Sequence, residues 1–167
     1  MNHLIKLLIV LTQLFFSGNS TAQNSNQFEL EQLPKLPSIN SESESLGYAG
    51  MLSGSINDVI IAAGGANFPN GAPWKGGPKV WSDLIFIYEN GSWRQATTTL
   101  PEKLAYSASV SLDDGILCIG GNNSNHISSK VFFMSYNENS KEVEITEYPA
   151  LPEPLAFSAA TKDDQFI

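Results

Sequence analysis

Two Gly-rich loops hold most of the side chains with which this chain could grip or transform a small molecule. The first, GGANFPNGAPWKGGPKVW at residues 64–81, carries Asn67, Trp74 and Lys79. An indole offers a flat apolar face to the C–H groups of a small molecule, while amide and ammonium donors suit hydroxyl and carboxylate oxygens. The second, GGNNSNHISSK at residues 120–130, carries Asn122, Asn123 and His126. Its amides could bind a ligand hydroxyl and its imidazole could carry a proton. Each residue also has a plainer reading. Trp74 and Trp81 could cap a hydrophobic core, the asparagines could form turns, and His126 could be a surface residue. Trp81 itself reads as core, inside a strand. With no second histidine nearby and no carboxylate at ligand spacing, no metal site is expected, and no cofactor is expected either. The acidic pairs Asp113-Asp114 and Asp163-Asp164 read as turn formers, not as a catalytic dyad.

Composition narrows the chemistry. The chain has 167 residues, is 42% hydrophobic and 16% charged, and carries a net charge of −8, so most of it should fold as a globular unit. Such an acidic balance leaves no basic field for nucleic acid or an anionic membrane. Its one arginine, Arg94, matters for any anionic substrate, because guanidinium is the best carboxylate clamp. The one cysteine, Cys118, lies in the apolar run GILCIGG and reads as a buried thiol.

Residues 1–22 read as an export signal. Lys6 precedes the apolar run LLIVLTQLFF, and Ser20 and Ala22 set up cleavage before Gln23. The mature protein is therefore expected to be exported, periplasmic and free of the membrane. A run of ten apolar residues is shorter than the ~20 that span a bilayer. Residues 23–45 read as a polar linker with at most one short edge strand near Phe28 to Leu33.

Those two loops are positioned by a repeat. LGYAGMLSGSINDVIIAAGG (46–65), LAYSASVSLDDGILCIGG (104–121) and LAFSAATKDDQFI (155–167) share a leucine, an aromatic among small residues, an acidic turn and an apolar run. The aromatics Tyr48, Tyr106 and Phe157 are 58 and 51 residues apart. After Gly-Gly come a third strand, VWSDLIFIY (80–88) or KVFFMSY (130–136), and a fourth, SWRQATT or EVEITEY. Four strands per unit with no helical periodicity between them predict the blades of an all-β propeller. The blades cover 46–98 and 99–150, and a third begins at 151–167. Strand one would run down the channel and strand two return, so the loop after Gly-Gly would emerge on the face where each blade begins. Prolines and glycines would hold that loop in one shape beside a pocket.

The double glycines, the aromatics closing the third strands (Tyr88, Tyr136) and Trp93 opening the fourth resemble the Kelch repeat; the second unit lacks that tryptophan. Residues 47–93, with the Gly/Pro/Trp insertion, carry a narrower resemblance, covering about residues 46–167, to bacterial N-acetylneuraminate epimerases, or sialic acid mutarotases, in their cyclically permuted branch. The resemblance implies a Kelch-type β-propeller of four-stranded antiparallel blades, six in all and ~300 residues long. The chain would then hold two and a fraction of them. It also implies a sugar acid as the small-molecule partner and catalytic residues on other blades, so none is assigned here. A noncatalytic Kelch-type module binding carbohydrate or protein remains the alternative. A sialidase propeller is disfavoured, because its Ser-x-Asp-x-Gly-x-x-Trp turn is not found.

Overall fold

The computed structural model describes residues 30–38 and 45–163. The expected export signal, most of the expected linker and Asp164 lie outside them. The chain divides into two units, Met1–Gln32 and Leu33–Ile167, and the description below is of the second. Residues 33–38 form no strand.

Alternating apolar residues build two antiparallel sheets. The first runs β1 (Leu52–Ile56), β2 (Val59–Ala63), β5 (Leu84–Glu89), β6 (Ser92–Thr99), in that spatial order. A second sheet contains β7 (Ala108–Ser111), β8 (Ile116–Ile119), β9 (Val131–Asn137) and β10 (Glu142–Tyr148), again in chain order. Each sheet is a four-stranded meander, the unit of a propeller blade. Its hairpins follow local turn chemistry. Asn90-Gly91, with φ of 52° and 81°, makes the tight turn between β5 and β6.

One apolar layer lies between the blades. Leu52, Ile61, Ile85 and Ile87 of the first and Ile116, Cys118, Phe132 and Met134 of the second belong to a single buried cluster. Truncating a ring such as Phe132, 1% exposed, would cost about 3–5 kcal/mol. At the innermost strands the small residues allow close approach. Ser55 N donates to Ser111 Oγ at 3.0 Å, and Ser109 Oγ donates to Ser53 O at 2.9 Å.

The double glycines are where one blade meets the connector to the next. Gly64 and Gly120 have φ of 65° and 62°. A Cβ at Gly64 would stand 2.4 Å from Leu104 O, and one at Gly120 would stand 2.1 Å from Leu155 O. The second glycine of each pair then donates across the junction, Gly65 N to Leu104 O at 2.8 Å and Gly121 N to Leu155 O at 2.7 Å. Only glycine combines this backbone with this contact.

The third strand of the first blade differs from the sequence expectation. Val80–Trp81 do not continue into the sheet. As β4 they pair with β3 (Ala66–Asn67), in a separate two-stranded ribbon. Buried Ser82 makes the break: its N–H donates to Gly65 O at 2.9 Å, and its Oγ accepts from Leu84 N at 3.1 Å. Ser128 repeats both contacts in the second blade, to Gly121 O at 2.8 Å and from Lys130 N at 3.2 Å. Trp81 is consequently half-buried on the ribbon instead of in the sheet's core.

Candidate functional site

The ribbon, the connector 100–107 and the loop 120–130 gather at one end of the blades, tied by Leu104 N to Ser82 O at 3.0 Å and by a reciprocal pair between Ala105 and Asn122 at 2.9 and 2.8 Å. Between them lies an open cleft of about 420 Å³, lined by Lys79, Trp81, Glu102, Lys103, Asn123 and His126 among others. That is the size class of small-ligand sites. A second cleft, of about 260 Å³, shares Trp81 and Lys103 and adds Tyr48 and Asn67. Burial raises the Tyr48 phenol above its usual range, partly offset by its hydrogen bond with Ser82, so it stays a neutral donor.

Of the six candidates read from the sequence, three line the larger cleft: Lys79, Asn123 and His126. Lys79 Nζ donates to Tyr106 Oη at 2.7 Å and lies 4.4 Å from the Tyr106 ring centre and 4.9 Å from that of Trp81. His126 Nε2 lies 3.0 Å from Glu102 Oε2. Asn122 is pinned to the connector through its backbone, and its Oδ1 accepts from Trp81 Nε1 at 3.4 Å. Asn67 belongs to the second cleft, where its Nδ2 donates to Gly47 O at 3.0 Å. Trp74 stands apart from both clefts. It sits in the single 3₁₀ turn Pro73–Lys75, closed by Gly76 at φ 82°, and is 83% exposed.

Three participants escaped the sequence reading: Lys103, an exposed lysine of the cleft lining, and two others. Glu102, 24 residues before His126, brings the carboxylate that local spacing did not offer. It also accepts from Ser128 Oγ at 2.7 Å and Asn123 Nδ2 at 3.3 Å. Asn123 Oδ1 in turn accepts from the amides of Asn125 and His126 at 2.8 and 3.2 Å. This carboxylate is saturated by donors and fixes the loop's shape, so its chemistry is positional. The last is Tyr106, which holds Lys79. Its place in the repeated aromatic position was a signal, but its partner was not.

The arginine is engaged elsewhere. Arg94 NH1 lies 3.1 Å from Glu142 Oε1, and NH2 donates to Lys141 O, joining the outer strands of the two blades. Tyr136 Oη donates to Glu89 at 3.1 Å in the same network. Among the described residues no group of three metal-capable side chains occurs, and no helix is long and apolar enough to cross a membrane.

The chain is similar to several known proteins. A family model described as N-acetylneuraminate epimerase matches residues 17–145. The chain is 35% identical over 123 residues to the N-acetylneuraminate epimerase of Vibrio cholerae, covering 68% of this chain and 32% of that protein. It is 36% identical over 100 residues to the Haemophilus influenzae protein of the same name, covering 54% and 26%. Among solved structures it is similar to YjhT, with a TM-score of 0.59 and 26% identity over 74% of this chain and 36% of that one. The chain thus spans about a third of the length of the relatives it matches.

Proposed function

The chain belongs to the N-acetylneuraminate epimerase family, and we propose that the whole protein is a mutarotase that interconverts the anomers of N-acetylneuraminate after export to the periplasm. Opening and reclosing the sugar ring requires one group to take the anomeric hydroxyl proton and another to protonate the ring oxygen. In this reading those two groups lie on blades outside the segment, and the blades described here hold the substrate. The cleft between the ribbon and the loop 120–130 is the observation that carries it. It sets an indole face, two ammonium groups and amide donors around one space of about 420 Å³, a lining suited to a pyranose that bears hydroxyls and a carboxylate. Trp81 supplies the flat face. His126, tied to Glu102, keeps the loop against the connector.

Exchange between the two anomers of N-acetylneuraminate, followed by proton NMR at equilibrium, tests the activity. Acceleration proportional to protein concentration supports it. Binding without acceleration would point instead to a noncatalytic Kelch-type module. Mass spectrometry of the protein recovered from the periplasm tests export. A chain starting at Gln23 is the expected product, and retention of residues 1–22 would overturn that part.

A further inference from the structure

We infer that Lys79 is the residue that selects a carboxylated sugar over a neutral one, an assignment that rests on the mutarotase reading above. Four cations of the blades are matched by carboxylates. Arg94 pairs with Glu142, Lys130 with Glu147, Lys141 with Glu89 and Glu138, and Lys162 with Asp113. Lys75, Lys79 and Lys103 have no carboxylate within 4.0 Å among the described residues, and of the three Lys79 alone is half-buried, the other two being exposed.

What holds Lys79 instead is uncharged: one phenol oxygen and two ring faces. Ring quadrupoles attract an ammonium group but leave its charge unneutralised. Burying part of a long cationic side chain loses hydration and rotamer freedom, and in a protein of net charge −8 many carboxylates were available to offset that. Glu102 lines the same cleft but accepts from Ser128 and Asn123 and lies against His126. Tyr106, which orients Lys79, has φ of 59°, a left-handed backbone unusual for a bulky side chain. Its ring stacks on Phe157 with centroids 4.6 Å apart, and its N–H donates to Gly50 O at 2.8 Å. Phe157, the equivalent aromatic of the next unit, has φ of 56°, so this backbone belongs to the repeat; at Tyr106 it presents the hydroxyl to Lys79.

The ammonium has three N–H donors and spends one on Tyr106, leaving two for an incoming anion. A carboxylate attached to a ring fits the combination: the anion on Lys79, the ring on Trp81, and Lys103 adding positive charge to the same cleft. Tyr106 is the positioning residue.

The test uses the full-length protein, with N-acetylneuraminate and its methyl ester as probes and dissociation constants from calorimetry. The ester keeps the ring and hydroxyls but removes the charge. The wild type should prefer the acid by about tenfold or more, the scale of a charge-assisted hydrogen bond. Lys79→Met should abolish that preference by weakening the acid alone. Lys79→Arg should restore part of it, and Tyr106→Phe should fall between. Equal loss for acid and ester in Lys79→Met would make Lys79 merely structural and overturn the inference, as would no loss for either. Anomer exchange by the wild type is measured separately. Its absence would remove the mutarotase reading, while a Lys79-dependent preference for the acid would still support the assignment.

Discussion

Gly64→Ala and Gly91→Ala place the same methyl group on the same kind of backbone, with different surroundings. Both glycines have positive φ, 65° and 81°, so alanine at either should cost about 1 kcal/mol for the left-handed conformation. At Gly91 nothing lies within 4 Å of the added Cβ, and the cost ends there. At Gly64 the Cβ would meet Leu104 O at 2.4 Å and Leu100 Cδ1 at 2.9 Å. A backbone carbonyl cannot rotate aside, so the connector must move. That movement puts at risk the bonds from Gly65 N to Leu104 O and from Leu104 N to Ser82 O, at 2.8 and 3.0 Å. Each is worth about 1 kcal/mol net, which brings Gly64→Ala to about 3 kcal/mol. In thermal unfolding followed by circular dichroism, Gly91→Ala should lower Tm by ~3 °C and Gly64→Ala by ~8 °C, at a few degrees per kcal/mol. Gly120→Ala, facing Leu155 O, should behave like Gly64→Ala. Equal shifts for Gly64→Ala and Gly91→Ala would refute the claim that the double glycine is required by contact between a blade and the next connector.

Lys141's hydrogen bond, helped by Tyr136, holds the Glu89 carboxyl below its usual value of 4.5. At Glu142 burial pushes upward, but the Thr97 amide and Arg94 outweigh it and the net direction is also down. A carboxylate with a depressed folded-state pKa stabilises the fold above its ordinary range and loses that contribution as pH falls through it. Melting temperature should thus decline below pH 4.5, and Glu89→Gln should flatten the decline; an unchanged slope would count against the network. Burial pushes the Cys118 thiol up to about 12, so the native protein should resist alkylation at pH 8 and react only when unfolded. Rapid native labelling would show the apolar layer to be open. Trp81→Ala should weaken sugar binding about tenfold, the worth of one aromatic contact, whereas Trp74→Ala should change it less than twofold. The reverse order in calorimetry would move the binding face to the loop's tip.

Much of the architecture was legible before any coordinates. Strand content, the four-strand unit and the double glycines follow from periodicity and turn residues that act over a few positions, and β6 and β10 fall within a residue of where SWRQATT and EVEITEY predicted them. The run from Val80 to Tyr88 misled, because both halves are apolar enough for one strand. What divides it is Ser82, whose backbone N–H bonds to Gly65 while its hydroxyl turns back to Leu84. Read beside Ser128, the recurrence of a serine two or three residues before the third strand was a usable signal.

The candidate site divides the same way. Sequence determined that donors, an indole and an imidazole would sit in the two loops after Gly-Gly, since loop composition is a local property. Only the tertiary structure decided which of them meet. Lys79 reaches Tyr106 across 27 residues, Trp81 reaches Asn122 across 41, and His126 finds Glu102 across 24. These pairs exist because two blades stack through a shared apolar layer and bring their loops to one end. That stacking depends on the packing of whole sheets, a collective interaction for which no short stretch of residues carries a pattern.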